Sequence, residues 1–363
     1  MAKIRLQGHA SGSGILTLTA PNTSTDRTIT LPDATSTIAT TAATDALTTR
    51  VNGASGRKNW IINGDFQVSQ RAAYTSATSL TSTSVYHLDR FKTKINTISG
   101  TLTHKLNQVV NGKTTNTMLL TATSSATGRV ETVQQIEATA PFVSQTITFS
   151  AWVKSDNTSA RLIVHQDGAN VQTSSNTHTG GGAFELLKGT VTCAANSGNM
   201  YLYSGIQAAG TGNVSVANND YFEMAFVQLE YGSVATDFEH RSFGEELALC
   251  QRYFEKHTVS TGYAHICLGQ ATSSTAMLFT LPFLVEKRAI PTTSFSAVGG
   301  FTAVSSNGGN CGAASAISAV SASPSLMRGN LAVGSGLSAG NASALQNFGS
   351  ASLTNTVSID AEL

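Results

Sequence analysis

Thr146-Ile147-Thr148-Phe149-Ser150-Ala151-Trp152-Val153-Lys154 sends Phe149, Ala151 and Val153 to one side of an extended chain and Ser150, Trp152 and Lys154 to the other. A period of two in a run rich in β-branched and aromatic residues marks a half-buried strand. Working outward, residues 161–165, 184–191, 199–204 and 221–229 read the same way, and the stretches between them are broken by Gly, Asn and Ser. Residues 167–182 are polar and Gly-rich, as a connection at the rim of a sandwich should be. Helical periodicity is weak throughout. Residues 58–241 are therefore expected to form one antiparallel β-sandwich, and the fold class is all-β.

A chain of 363 residues has room for two or three domains. Charged residues make up only 12%, about half the usual share, and hydroxyl and amide side chains replace them. The formal net charge is +1 and no Lys/Arg cluster tracks a phosphate backbone, which argues against a nucleic-acid partner. The first residues lack the apolar core of a secretory signal, and no apolar run reaches membrane-span length. Synthesis in the cytoplasm, without membrane insertion, is the expectation. Cys193, Cys250, Cys267 and Cys311 are far apart with no C-x-x-C pair, so they are expected to be unpaired packing residues.

Ahead of the sandwich, Gly14-Ile15-Leu16-Thr17-Leu18-Thr19-Ala20-Pro21 and Arg27-Thr28-Ile29-Thr30-Leu31-Pro32-Asp33-Ala34 read as two strands around a polar turn. So short a hairpin buries too little to stand alone, which points to partner chains. Residues 44–51 suit one or two helical turns, ended by Asn52-Gly53-Ala54-Ser55-Gly56. After the sandwich, residues 244–256 carry apolar positions at helical offsets, with glutamates leading and a lysine trailing, and predict a closing helix. Residues 294–363 are rich in Ser, Ala, Gly and Asn, too poor in bulk for a core of their own, and are expected to add strands to what precedes them or to intertwine between chains. The resulting division is 1–55, 56–241 and 242–363.

No G-x-S-x-G, H-E-x-x-H or P-loop occurs, and carboxylates are sparse. Asp65, Asp89, Glu223, Glu230, Asp237 and Glu239 lie inside or border the sandwich segments; a pair such as Glu223 with Glu230 is the form a glycosidase site would take, but alternation points Glu223 outward. The chain reads as a binder and not as an enzyme. Alternation also separates Tyr201 and Tyr203 from Met200 and Leu202, and Arg161 and His165 from Leu162 and Val164. One polar, aromatic face bearing Trp152, Lys154, Arg161, His165, Tyr201 and Tyr203 would suit a glycan, its rings under pyranose faces and its polar groups around the hydroxyls. The alternative is that these rings pack under loops or against a neighbouring subunit.

Asn59-Trp60-Ile61-Ile62-Asn63-Gly64-Asp65-Phe66 and Phe226-Val227-Gln228-Leu229-Glu230-Tyr231-Gly232-Ser233-Val234-Ala235-Thr236-Asp237-Phe238-Glu239 read as the two ends of one module. The pair resembles the jelly-roll modules of bacteriophage tail fibre and receptor-binding proteins. Glu245-Glu246-Leu247-Ala248-Leu249-Cys250-Gln251-Arg252-Tyr253-Phe254-Glu255-Lys256 is similar to an element that follows that module, with Phe254 in place of a second tyrosine. A strand pair and Pro-Thr turn in residues 277–293 continue the pattern, and residues 14–35 resemble a segment near the N-termini of virion proteins. The resemblance implies a carbohydrate-binding-like jelly roll, an N-terminal attachment segment joining a tail or baseplate protein, a C-terminal β-rich tip, and a homotrimer in the virion. It places Trp60, Phe66 and Phe91 in the core and makes Asp89-Arg90 an internal ion pair. It also implies a structural calcium near the chain ends of the module, with Asp65 and Asp237 as candidate ligands. The function implied is adsorption to a host surface glycan. The alternatives are a tail-spike depolymerase and a structural connector.

Overall fold

The computed structural model describes residues 58–81, 84–137, 140–196, 198–349 and 354–363. The hairpin and helical turn expected before residue 58 lie outside the described residues. Thirteen strands build the first body: β1 (Thr78–Ser79), β2 (Val85–Tyr86), β3 (Lys92–Asn96), β4 (Gly100–Val110), β5 (Lys113–Ala122), β6 (Ala126–Ile136), β7 (Thr146–Ser155), β8 (Ala160–Gln166), β9 (Val171–Ser174), β10 (Phe184–Thr192), β11 (Met200–Ile206), β12 (Val214–Val216) and β13 (Tyr221–Tyr231). Sheet one runs β1-β4-β5-β13-β7-β10, and sheet two runs β2-β3-β6-β11-β8-β9 with β12 beside β6. Every pairing is antiparallel, and the inward residues of both sheets meet in one core, making a β-sandwich.

Phe149, Ala151 and Val153 from β7, Leu162 and Val164 from β8, and Met200 and Leu202 from β11 lie in that core as their alternation requires. Each large side chain sealed there contributes about 1.5–3 kcal/mol. Sheet one begins with a hairpin that the strand reading passed over: Asn111 and Gly112, both at positive φ, join β4 to β5 with Val110 opposite Lys113. An Asn-Gly pair between strands is the two-residue turn whose twist matches the strands it joins. The polar stretch at 167–182 holds the short strand β9, so it is not loop throughout.

The two ends of the module do meet. β13 pairs with β5 from Tyr221 to Met224, then bulges between Ala225 and Gln228 and leaves it. Residues 59–64 take over the vacated edge: Trp60 N donates to Leu229 O, Val227 N donates to Gly64 O, and the Asn59 side-chain amide bridges Leu229 N and Val227 O. A Cβ on Gly64 would lie 2.2 Å from Val227 O, so only glycine allows this approach. Phe66 and Phe91 are in the core as expected, their ring centroids 4.9 Å apart, while Trp60 sits at its edge against Phe142 and Tyr231.

Helix α1 (Phe243–Gln251) is shorter than the sequence predicts. Ser242 caps its N-terminus. Tyr253 leaves the helical path because its ring lies 3.5 Å under the Arg90 guanidinium and its hydroxyl donates to Glu137, and Phe254 then opens a strand. Asp89 and Arg90 do not pair with each other. Adjacent side chains diverge here: Asp89 accepts from Gln70 and faces Arg71, while Arg90, 1% exposed, reaches Glu362 at 2.5 Å.

The second body contains β14 (Phe254–Val259), β15 (His265–Ala271), β16 (Ala276–Pro282), β17 (Thr292–Phe295), β18 (Phe301–Val304), β19 (Ala316–Ala322), β20 (Leu326–Ala332), β21 (Ala342–Asn347) and β22 (Asn355–Asp360). They form the sheets β14-β22-β17 and β18-β21-β15-β16-β20-β19 around Phe279, Phe301, Met327, Leu345 and Ile359. Residues after 294 thus add strands to β14–β16, the first of the two arrangements expected of them. All four cysteines are free. Among the described residues no helix is long and apolar enough to cross a membrane.

Lys287, 1% exposed, bonds Glu255 of β14 at 2.6 Å and the carbonyls of Gln251 and Val285. Lys287→Met takes the lysine from a buried carboxylate that keeps only His257 and the Leu284 N–H beside it, and breaking a buried pair costs about 3–5 kcal/mol. Urea unfolding is expected to show that loss, and the double variant Lys287→Met/Glu255→Leu is expected to recover most of it.

Candidate functional site

The six residues expected on one glycan face are divided between two. Trp152 and Lys154 stand on the outer face of sheet one, whereas Arg161, His165, Tyr201 and Tyr203 stand on the outer face of sheet two. The reason is topological: β7 and β8 are consecutive in sequence but belong to opposite sheets, as do β10 and β11. Alternation tells inside from outside; it does not tell which sheet a strand joins.

On sheet two, Tyr201 lies opposite His165 on β8 and Gln135 on β6, and Tyr203 opposite Ile163 and Val133. The three rings of His165, Tyr201 and Tyr203 form a near-equilateral triangle with centroid separations of 6.0, 6.2 and 6.0 Å and planes tilted by 33–41°. Gly205 lies opposite both Glu131 and Arg161, so no side chain rises between them. Gln172 of β9 stands across from His165. Among the described residues, three buried polar atoms on this face have no partner: His165 Nε2, Gln172 Oε1 and Glu131 Oε2. Buried polar atoms are ordinarily satisfied, so unspent ones on a face of half-buried rings mark a place for an incoming hydrogen-bonding ligand.

Burial is the main cause of the pKa shifts of Tyr201, Tyr203 and Glu131. It raises Tyr203, with Glu131 and Tyr201 adding to the rise, and raises Tyr201, with Asp167 adding. Both tyrosines therefore stay neutral donors at physiological pH. Glu131, 2% exposed, is raised by burial and only partly brought back by Arg129, which bonds its other oxygen at 3.0 Å, and by Lys94. Glu131, Gln135 and Gln172 were missed in the sequence because β6 and β9 were not read as strands. The alternation of Val130, Thr132 and Gln134 against Glu131, Val133 and Gln135 was the available signal.

On sheet one, Trp152 borders a small pocket of about 110 Å³ with Phe226, Phe238, Gln228, Lys113 and Asp237. Phe226 reaches this outer face from the β13 bulge, at φ 53°, and packs on Phe238. Lys154 pairs in register with Phe184 and Glu223. Glu223 does point outward, yet Lys105 and Thr117 cover it; Glu230 is held by Gln228 and Thr236. Each carboxylate of the Glu223 and Glu230 pair is committed to fixing strand β13 and its following turn.

Asp65 is buried, with one oxygen on Gln67 Nε2 and the other without a partner, and burial raises its pKa. Asp237 lines the pocket beside Trp152 instead. Among the described residues no group of three or more His, Cys, Asp or Glu side chains is gathered that would hold a metal ion.

No protein-family model matches this chain, and no curated protein sequence matches it. Among solved structures it is similar to the CBM22-1–GH10 modules of endo-1,4-β-D-xylanase 10B from Clostridium thermocellum complexed with xylohexaose, at 12% identity over 51% of this chain and 30% of that one, TM-score 0.27. It is also similar to the CBM22-1 xylan-binding domain of Xyn10C from Paenibacillus barcinonensis, at 14% identity over 45% of this chain and 99% of that one, TM-score 0.26. Discoidin II from Dictyostelium discoideum is 12% identical over 68% of this chain and 77% of that one, TM-score 0.17. At TM-scores this low the likeness carries no argument, and the ligand is judged on the geometry of the two faces.

Glu131 supplies a stability test. Its carboxyl sits near the ordinary value of about 4.3 in the unfolded chain and higher when folded. Between those values the folded state binds the extra proton, so stability rises as pH falls through the folded pKa and stops rising near the unfolded one. Glu131→Gln removes that limb. Urea midpoints measured from pH 8 to pH 4 are expected to move in the wild type's favour relative to the variant on acidification; a constant difference would refute the assignment.

Proposed function

We propose that this chain binds glycans on the outer face of sheet two, and that it does so as the adsorption protein of a phage tail fibre. The observation that carries the first part is the triangle of His165, Tyr201 and Tyr203 with unpartnered polar atoms of His165, Gln172 and Glu131 around it. Rings about 6 Å apart offer apolar area to the C–H face of a sugar, and mixed donors and acceptors suit its hydroxyls. The tail-fibre part is supported by the sequence resemblance of residues 59–66, 226–239 and 245–256. In that reading residues 1–55 hold the virion, three chains associate, and weak single sites gain strength by avidity.

The test is binding of the purified full chain to immobilised capsular and lipopolysaccharide glycans of candidate hosts, with light scattering for the association state. Tyr203→Ala is expected to weaken binding about tenfold, the loss of roughly 1.4 kcal/mol of ring contact. A loss with Trp152→Ala and none with Tyr203→Ala moves the site to sheet one. No glycan binding at all sinks the proposal, and a chain that stays monomeric sinks its trimeric form.

A further inference from the structure

Beside helix α1, at the end of the sandwich where residues 59–62 enter, lies a cavity of about 370 Å³. That is within the range of about 300–1,000 Å³ found for small-molecule pockets. Its apolar wall includes Trp60, Ile136 and Leu249, and it shares only Gln135 with the tyrosine face of sheet two. Among the described residues, three buried N–H groups of the lining have no acceptor: Trp60 Nε1, Arg90 Nε and Arg241 Nε. The other guanidinium nitrogens are spent. Arg90 bonds Glu362 and the Gln135 carbonyl, and Arg241 bonds Glu246, Glu239 and the Ile61 and Asn59 carbonyls.

The carboxylate and one amide of the lining are committed as well. Glu137 takes two hydrogen bonds from Arg252 and one from Tyr253, and the Gln134 amide is bonded at both ends to Ile62. The pocket is thus short of acceptors, and two of its three idle donors are on guanidinium groups. Such donors form their strongest hydrogen bonds with a carboxylate, and the Trp60, Ile136 and Leu249 side chains suit the body of a six-membered ring.

We propose that this cavity binds a small molecule bearing one carboxylate on a ring-sized body. Two sources present that chemistry: an apolar ring acid, and an acidic sugar unit. The site stands independently of the glycan reading for sheet two.

The chain has two tryptophans, Trp60 and Trp152, so Trp152→Phe leaves Trp60, in the cavity wall, as the sole indole reporter. The full chain carrying that change is titrated with cyclohexanecarboxylate, glucuronate, and the neutral controls cyclohexanemethanol and glucose, reading tryptophan emission. A saturable change with either acid, at least tenfold tighter than with its neutral control, is the expected result. Which acid saturates identifies the source. Adding Leu249→Phe, which narrows the cavity, is expected to abolish the response while circular dichroism and the urea midpoint show an intact fold. Tyr203→Ala is expected to leave it unchanged, which separates this site from the sugar platform. No saturation with either acid, an equal response to the neutral controls, or a response that survives Leu249→Phe overturns the proposal.

Discussion

Everything in the sandwich depends on how Arg241 is held. Its guanidinium donates to the carbonyls of Asn59 and Ile61, and to Glu246 on the helix and Glu239 on the tail of β13. Glu246 in turn accepts from Asn63 N. One buried cation therefore ties the opening segment, the closing segment and the helix together, and it does so where β13 has abandoned β5. Removing a partner from such a node leaves a buried charge uncompensated, which is far more costly than losing a surface pair.

The sequence was legible wherever a period of two sufficed. β7, β8, β10, β11 and β13 were placed to within a residue or two, and their inward residues are the observed core. Sheet membership was not legible, because it depends on long-range pairing, and the six-residue glycan face came apart for that reason. The helix was overextended past Gln251 because Phe254 and Lys256 fit its offsets, while the ring of Tyr253 was claimed by Arg90. The pairing of Asp89 with Arg90 failed because both residues have partners remote in sequence. Gln135, central to both candidate ligand sites, lay on a strand whose alternation was present but unread.

The two bodies solve the same packing problem with one device. Phe149 on β7 lies across from Gly189 on β10, and Phe279 on β16 across from Gly329 on β20. A Cβ at either glycine would come within 2.4 or 2.2 Å of the facing ring. The ring covers the bare backbone of its neighbour, so a sheet rich in small residues still presents a closed apolar surface. This is how residues 294–363, poor in bulk, take part in a core built around Phe279, Phe295 and Phe301.

The salt bridge of Arg90 with Glu362 spans 272 residues of chain, and its consequence is one of timing. Domains emerge from the ribosome N-terminal end first, at about 5–20 residues per second, so the sandwich strands are available many seconds before Glu362. Until Tyr253 and Glu362 arrive, the Arg90 guanidinium lacks both the ring and the carboxylate that cover it in the folded chain. That corner of the sandwich is completed only as the strand β22 segment docks, well after the core around Phe149 and Leu229 has been made.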